Sequence, residues 1–175
     1  MYATEILPNL WIGDKRSPAL SDFKKNNNIA LVINCTRTIP LYRGLHKNIR
    51  IPVDDDLTDN SRMKLFHYIP SIVEIIGKYI HKRKGVLVHC HAGCQRSATI
   101  VAAYIMSQTD FEPELVIKLI RTKRSLCFTP GVNFYKSLVL WKKSLSSTLN
   151  NLSSSSLPSS QEKNNSDSVI KLSSM

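Results

Sequence analysis

The sequence predicts a single α/β domain in which helices flank a central, mostly parallel β-sheet. Two short apolar runs, at residues 29–35 and 85–89, have the nearly continuous hydrophobicity of strands that are buried on both faces. Between them, residues 61–83 carry apolar side chains at helical spacing, and further helical patterns follow the second run. Strand, crossover helix and strand in this order are typical of a parallel sheet covered by helices.

The remaining elements follow in order along the chain. Residues 48–53 are a third strand candidate, placed before the crossover helix. Within that helix Pro70 lacks an amide proton, so we expect it to kink the helix or to begin a new segment. After the second apolar run, helical spacing predicts helices at residues 97–108, 112–122 and 132–145.

Length and composition limit the class of protein. The 175 residues and the 42% apolar content suit one ordinary globular domain. No run reaches the roughly 18 consecutive apolar residues of a membrane-spanning helix, and the N-terminal residues lack the pattern of a signal peptide. The four cysteines, Cys35, Cys90, Cys94 and Cys127, are too few and too irregularly spaced for a secreted disulfide framework. We therefore expect reduced thiols and a cytoplasmic or nuclear location.

The C-terminal residues differ in composition from the rest, because twelve of the thirty residues from Ser146 onward are serine and none is aromatic. Such a segment buries too little apolar surface to offset its ordering entropy. We predict a catalytic or binding domain at residues 1–145 and a serine-rich disordered tail at residues 146–175. The charges of the tail cancel, so the formal net charge of +11 belongs to the domain. It indicates attraction to anions, which include nucleic acid, membrane surfaces and phosphorylated substrates.

The segment VLVHCHAGCQRSAT, residues 86–99, carries the chemistry. The predicted strand ends at His89, a short loop covers residues 90–95, and a helix begins near Arg96. Amide groups of the loop and the N-terminus of the helix can converge on one point, which forms a site for a tetrahedral oxyanion. Gly93 permits the tight curvature that this loop requires.

Cys90 lies at the mouth of this predicted anion site. The helix dipole and the inward amides favour a thiolate there, and a thiolate is the competent nucleophile. Arg96 is placed to bind two oxygens of the same anion through its planar guanidinium. Ser97 can donate a hydrogen bond to the sulfur. The spacing therefore predicts a cysteine nucleophile and an arginine clamp around one phosphate.

This arrangement resembles the protein tyrosine phosphatases. The HCxxGxxR[ST] signature of that superfamily is matched by His89, Cys90, residues 91–95, Arg96 and Ser97. The segments AYIM at residues 103–106 and EILPNLWIG at residues 5–13 look like its dual-specificity branch, and the similarity covers roughly residues 1–145. The resemblance implies a protein-tyrosine-phosphatase-like fold, a phosphocysteine intermediate, and protein substrates phosphorylated on tyrosine, serine or threonine.

Roles follow for the other residues of the loop. The phosphate would be bound by the segment His91, Ala92, Gly93, Cys94, Gln95 and Arg96, mainly through backbone amides and the guanidinium. His89 is expected to support the loop, and the side chains of His91 and Gln95 are expected at its rim. The mechanism requires neither a metal ion nor an organic cofactor.

A phosphoester leaving group departs as an alkoxide or phenoxide unless an acid protonates it, so a carboxylic acid should reach the site from another loop. Acidic residues cluster after the third predicted strand, in the segment IPVDDD at residues 51–56, with Asp59 close behind. In similar phosphatases the acid follows an Ile-Pro-Val-x-Asp context, which selects Asp55. Its separation of 35 residues from Cys90 is longer than the family habit, so Asp54, Asp56 and Asp59 stay as alternatives.

Other interpretations of the cysteines remain. Cys90, Cys94 and the two histidines are zinc-ligand types, but a second ligand pair at structural-zinc spacing is missing. A disulfide between Cys90 and Cys94 would destroy the anion site. Cys35 ends a strand that should lie beside the strand before Cys90, and in some relatives a cysteine there bonds the oxidised nucleophile, so a protective Cys35–Cys90 disulfide is a further hypothesis.

The alternative functions use the same cysteine chemistry. An RNA 5′-phosphatase or a phosphoinositide phosphatase is compatible with the net charge, and the sequence does not indicate an oligomeric state. The basic segments at residues 82–84 and 121–124 are predicted to be solvated helix ends. Gly131 stands where close relatives usually carry asparagine, so a loop-bracing hydrogen bond is either missing or supplied by Asn133.

Overall fold

The computed structural model describes residues 2–154. Its elements are β1 (Ala3–Leu7), β2 (Leu10–Gly13), a short 3-10 turn (Ser17–Ala19), α1 (Ser21–Asn26), β3 (Ile29–Asn34), β4 (Lys47–Arg50), α2 (Asp59–His81), β5 (Gly85–His89), α3 (Arg96–Gln108), α4 (Pro113–Lys123) and α5 (Tyr135–Ser154). The strands form one sheet in the order β1-β2-β5-β3-β4. β1 and β2 pair antiparallel, and all other pairs are parallel. The predicted α/β fold with a mostly parallel sheet is confirmed.

β5 lies at the centre of the sheet, and all five of its residues are buried. Val88 is paired with Ile12 on β2 and with Ile33 on β3. On one face a large apolar cluster joins the sheet to the helices from α2 onward, whereas on the other face Leu87 belongs to a smaller cluster that packs against Phe23 of α1. Burial on both faces explains why this strand is apolar at nearly every position.

α2 begins at Asp59 because Thr58 caps it: the Thr58 hydroxyl accepts a hydrogen bond from the amide of Ser61 at 3.2 Å. The helix continues through Pro70 to His81, so the expectation that a new segment begins at this proline is wrong. The buried stripe of α2 comprises Leu65, Ile69, Ile72, Val73 and Ile76. This stripe packs against α3 and α5, and its burial outweighs the one backbone hydrogen bond that proline removes.

Three short elements have no counterpart in the prediction from sequence: β1, β2 and α1. The two strands contain five and four residues, and α1 contains six residues, none of them buried. Neither strand is buried at every position as β5 is, and α1 has no buried helical face, so none of the three carries the hydrophobic pattern of a buried strand or helix. β4 ends earlier than the predicted strand at residues 48–53: the Ile51 amide still donates to the Asn34 carbonyl of β3 at 2.8 Å, but the Val53 amide turns back to the Ile51 carbonyl at 2.8 Å.

The C-terminal helix, α5, continues to Ser154 and so passes the predicted domain boundary between residues 145 and 146. The rest of the predicted tail, residues 155–175, lies outside the described residues. In the part of the chain that is described, no helix combines the length and the hydrophobicity needed to cross a bilayer.

The carboxyl ends of β2, β3 and β5 meet at one edge of the sheet. Two hydrogen bonds extend the ladders past the strand ends: the Cys35 amide donates to the His89 carbonyl at 2.8 Å, and the Cys90 amide donates to the Gly13 carbonyl at 3.4 Å. The segments that follow these strands are therefore held together where ligands of parallel sheets bind.

Candidate active site

The loop between β5 and α3, residues 90–95, is referred to below as the cysteine loop. Gly93 has a φ of +71°, a left-handed conformation that favours glycine. A Cβ atom at this position would also lie 2.6 Å from the Gly13 carbonyl oxygen, which leaves no room for a side chain. This conformation turns the Gly93 amide toward the sulfur of Cys90, to which it donates at 3.3 Å. The loop therefore curls around the thiol, as the sequence predicts.

Cys90 has an exposed fraction of only 2%, and hydrogen-bond donors surround its sulfur. Besides the Gly93 amide, the Ser97 hydroxyl donates to it at 3.3 Å. Burial by itself would raise the pKa of Cys90. This effect is outweighed by the hydrogen bonds from the Ser97 hydroxyl and amide, the positive charge of Arg96 and the hydrogen bond from the Cys94 amide, so the pKa of Cys90 is lowered overall. A lowered pKa increases the fraction of Cys90 that is present as the thiolate, and the thiolate is the reactive nucleophile.

The other three cysteines of the described chain have raised pKa values. Burial raises the pKa of Cys35 well above its ordinary value and that of Cys127 to about 12, and burial also raises the pKa of the half-buried Cys94. Cys90 is thus the thiol that the fold activates. All four cysteines are free, and the described residues contain no cluster of metal-ligand side chains.

Arg124 supports the cysteine loop in a way that the sequence analysis missed. It is buried, whereas the sequence predicted a solvated helix end. Its guanidinium donates to the carbonyls of Gly93 at 3.1 Å and Ala92 at 3.3 Å, and to the Thr4 hydroxyl on β1 at 3.0 Å. Because these carbonyls point outward to Arg124, the amides that follow them can point into the anion site.

Gln95 connects the cysteine loop to the segment after α4. Its side chain is 6% exposed and does not lie at the rim as expected. The amide nitrogen donates to the carbonyls of Thr129 at 3.1 Å and Gly131 at 2.8 Å, and the amide oxygen accepts from the Asn133 backbone at 3.1 Å. His91 does lie exposed at the rim, with its Nε2 3.5 Å from the Nζ of Lys15.

Arg96 lies between the cysteine loop and the segment at residues 51–58, which we call the acidic loop. Its Nη1 donates to the Val53 carbonyl at 2.9 Å, which fixes the guanidinium over the site. Its Nε is buried and has no hydrogen-bond partner among the described residues, although the Asp55 carboxylate lies 3.7 Å away. This donor is therefore available to an oxyanion bound above Cys90.

Of the four candidate acids, Asp55 is the one that the fold brings to Arg96. Its side chain is 24% exposed, and its Oδ1 accepts a hydrogen bond from the Asn133 side-chain amide at 2.8 Å. The sequence left two alternatives, a missing loop-bracing hydrogen bond or one supplied by Asn133. In the structure Asn133 supplies it to the acidic loop.

The other three candidate acids have different partners. Asp54 pairs with Arg37 at the exposed surface, at 2.9 Å. Hydrogen bonds from Ser61 and Thr58 lower the pKa of Asp56 at the start of α2. The Lys136 side chain lowers the pKa of Asp59 in the same manner. Asp56 and Asp59 are held as carboxylates away from Arg96, which disfavours either as a proton donor.

His89 is buried behind the loop. Burial lowers its pKa to about 4, and the positive charge of Arg50 acts in the same direction, so the imidazole is neutral at neutral pH. Its Nδ1 has no hydrogen-bond partner within the described part of the chain, while its backbone carbonyl accepts from Cys35. The residue supports the loop through its backbone and its packing.

Comparison with known proteins shows the family of the chain that forms this site. The family model described as "Dual specificity phosphatase, catalytic domain" matches residues 10–144. The chain belongs to the dual-specificity phosphatase family. The resemblance inferred from the residues around Cys90 is confirmed.

Individual dual-specificity phosphatases show how far the similarity extends. Dual specificity protein phosphatase 16 of Homo sapiens is 32% identical over 144 residues, which cover 81% of this chain and 21% of that protein. Dual specificity protein phosphatase 22 of Xenopus tropicalis is 33% identical over 135 residues, or 77% of this chain and 62% of that protein. The crystal structure of human DUSP28 superposes with a TM-score of 0.75 at 18% identity, covering 83% of this chain and 96% of that one. This chain spans less than two thirds of the length of either curated relative.

The Ser97 hydroxyl gives this dual-specificity phosphatase domain a testable pH dependence. Replacing Ser97 by alanine removes one donor to the sulfur, so the pKa of Cys90 rises toward that of an ordinary thiol. Iodoacetate alkylates the thiolate of Cys90, so the rate for the variant at acidic pH should be about fivefold lower than that of the parent. This factor corresponds to the loss of one hydrogen bond that stabilises the thiolate. Above both pKa values, the rates of the variant and the parent should converge.

Ser107 provides the matched control for this experiment, because it also lies on α3 but donates to the Tyr104 carbonyl. A Ser107→Ala variant should keep the parent pH profile of alkylation. An unchanged profile for Ser97→Ala would show that this hydroxyl does not stabilise the thiolate.

Proposed function

We propose that this domain hydrolyses phosphotyrosine and phosphoserine or phosphothreonine in proteins through a phosphocysteine intermediate. The observation that carries the proposal is the environment of the Cys90 sulfur. The Gly93 amide and the Ser97 hydroxyl both donate to it at 3.3 Å, and the Arg96 charge at the start of α3 lowers its pKa. The Asp55 carboxylate of the acidic loop lies 3.7 Å from the Arg96 Nε. Membership of the dual-specificity phosphatase family supports the same reaction.

In the first step the Cys90 thiolate attacks phosphorus. The sulfur–phosphorus bond forms, the ester bond between phosphorus and the leaving oxygen breaks, and Asp55 donates a proton to that oxygen. The loop amides and the Arg96 guanidinium bind the phosphoryl oxygens, whose negative charge develops in the transition state. Arg96 is suited to this role because its buried Nε has no hydrogen-bond partner among the residues described.

In the second step water attacks the phosphocysteine. The Asp55 carboxylate accepts a proton from the water, the sulfur–phosphorus bond breaks, and inorganic phosphate leaves. The Ser97 hydroxyl stabilises the departing thiolate by the same hydrogen bond that lowers the pKa of Cys90. Apart from the attacking water, every catalytic group in this scheme belongs to the chain.

The breadth of the substrate class is supported by the acidic loop. It runs directly from the end of β4 at Arg50 to the start of α2 at Asp59, without a long insertion that would deepen the entrance above Cys90. A short loop favours a shallow entrance, which would accept the short phosphoserine and phosphothreonine side chains as well as phosphotyrosine. Phosphorylated proteins are therefore the substrates that we propose.

The function is tested by assaying one preparation on four substrates: a phosphotyrosyl peptide, a phosphothreonyl peptide, a phosphoinositide and a 5′-triphosphorylated RNA. We expect both peptides to be hydrolysed faster than the lipid and the RNA, measured as kcat/KM from phosphate release. The cysteine loop itself contains no lysine or arginine, so Arg96, which follows it directly, has no basic neighbour within the loop to help bind a multiply charged substrate. Faster turnover of the lipid or the RNA would replace this proposal by the corresponding alternative.

A further inference from the structure

A second concave surface lies at the edge of the sheet opposite the candidate active site. It is a cavity of about 570 Å³ formed where β3, β4 and β5 begin, and we call it the basic pocket. Its floor includes Ile29 and Ala30 at the start of β3. α1 forms one wall, and the loop that precedes β4 forms the other. The pocket is therefore separate from the groups that surround Cys90.

Four basic side chains line the basic pocket: Lys24, Lys25, Arg43 and Lys84. None of them forms an ion pair with a described residue, and Asp22 is the sole carboxylate among the described residues of the lining. Elsewhere on the domain, carboxylates do pair with cations, as in Asp14 with Arg16 and Asp110 with Lys142. With one carboxylate against four basic side chains, the lining keeps an excess of positive charge.

Two side chains of the pocket are held in place by the fold, because one is buried and the other is half-buried. The His46 ring is buried, its Nε2 lies 3.1 Å from the Tyr42 carbonyl, and it rests against Gly44, where a Cβ would come within 2.5 Å of the ring. Lys24 is half-buried without a counter-charge, and burial lowers its pKa. A bound anion would supply the missing counter-charge beside Lys24.

We propose that the basic pocket binds an anionic segment of the protein substrate whose phosphorylated residue enters the site at Cys90. This inference rests on the proposed function for the identity of the substrate, but not for the binding itself. β3 connects the two ends of the sheet and spans about 20 Å at roughly 3.3 Å per residue. An extended peptide that reaches around the surface therefore needs at least about ten residues between the two anchoring points.

The composition of the pocket favours a polypeptide over RNA. No Phe, Tyr or Trp is found among the described residues of its lining, although stacking on aromatic rings is the usual means of holding unpaired bases. The cations surround a concavity with an apolar floor, and Leu45 stands fully exposed at its margin. Such a surface accommodates an acidic chain that carries an apolar side chain. Tethering at two points raises the effective concentration of the phosphoresidue at Cys90.

The binding is tested on three lysines of the pocket, by comparing the triple variant K24A/K25A/K84A with a matched triple variant, K64A/K118A/K143A. The control lysines are exposed and, among the described residues, form no ion pair and do not line the pocket. The probe is a fluorescent peptide with four glutamates and no phosphorylated residue, followed by anisotropy. We expect the pocket variant to bind it about tenfold more weakly, and the control variant to stay within about twofold.

Two further peptides test the link to catalysis. Each carries one phosphotyrosine, and about fifteen residues away it carries either four glutamates or two non-hydrolysable phosphonate analogues of phosphothreonine, a spacing that exceeds the reach estimated above. The KM of each should be lower than that of a peptide with glutamines in the same positions. The pocket variant should lose this difference while its kcat on a small aryl phosphate stays unchanged. These two arms distinguish carboxylate from phosphate as the preferred anion.

The outcomes separate the two proposals. If no peptide is hydrolysed but the glutamate peptide still distinguishes the two triple variants, the pocket stands and the proposed function fails. Equal weakening by both triple variants would show that net charge alone attracts the peptide, and the pocket proposal would be abandoned. Tighter and lysine-dependent binding of 5′-phosphorylated RNA or of phosphoinositide vesicles would assign the pocket to those ligands instead.

Discussion

Replacing Cys90 by serine should lower phosphatase turnover by about 10⁴-fold or more, because no other group can form the covalent intermediate. A serine hydroxyl is not ionised near neutral pH, whereas the Ser97 hydroxyl, the nearby amides and the Arg96 charge lower the pKa of the Cys90 thiol. The amides and Arg96 remain in place in this variant. Phosphopeptide binding should therefore persist while turnover is lost, measured by anisotropy and by phosphate release.

Cys94 is the matched control, since it lies in the same loop but its pKa is raised by burial. Cys94→Ser should keep turnover within about threefold, the range expected for a half-buried side chain that takes no part in the reaction. Iodoacetate should label Cys90 of the parent protein near neutrality, and tungstate, an oxyanion of phosphate-like shape, should protect it. Ordinary turnover by Cys90→Ser would exclude a phosphocysteine mechanism.

Replacing Asp55 by asparagine should lower kcat on phosphopeptides by about 10²- to 10³-fold, the usual contribution of a positioned general acid. The change preserves size and removes only the proton that assists the leaving oxygen. The loss should be smaller for an aryl phosphate whose leaving group is a weak base and needs little protonation. The comparison of kcat between a phosphothreonyl peptide and a nitrophenyl phosphate measures this difference.

Asp54→Asn is the control, because Asp54 precedes Asp55 in the same loop but pairs with Arg37 at the exposed surface. A surface ion pair of this kind contributes about 0–1 kcal/mol, so the variant should retain nearly full kcat. If Asp54→Asn lost more activity than Asp55→Asn on phosphopeptides, the general acid would have to be reassigned.

The parts of the site that the sequence predicts well are those formed by one continuous segment. The strand from Gly85 to His89, the loop after it and the helix that begins at Arg96 follow one another without a gap. Their hydrophobic period and the spacing from Cys90 to Arg96 are both visible in the chain. The choice of Asp55 also depends on a local context, the Ile-Pro-Val segment that precedes it.

The parts that the sequence does not predict depend on contacts between distant segments. Arg124 is thirty-one residues from Gly93, and no pattern distinguishes it from the exposed cations beside it on α4. The same holds for Gln95, whose partners lie at residues 129–133. Burial of a charged or amide side chain is decided by the three-dimensional packing, which a hydrophobic period does not record.

The hydrogen bond from Arg124 to Thr4 gives the edge strand an influence on catalysis. One guanidinium holds both the outer strand β1 and the carbonyls behind Gly93. Because β1 is an edge strand, it is hydrogen-bonded to a neighbour on one side only, and such a strand opens more readily than the centre of a sheet. When β1 detaches from the sheet, Arg124 loses its hydrogen bond to Thr4. The affinity for oxyanions should therefore decrease at a lower temperature than the one at which the whole domain unfolds. Thermal inactivation of this protein would then begin at its periphery.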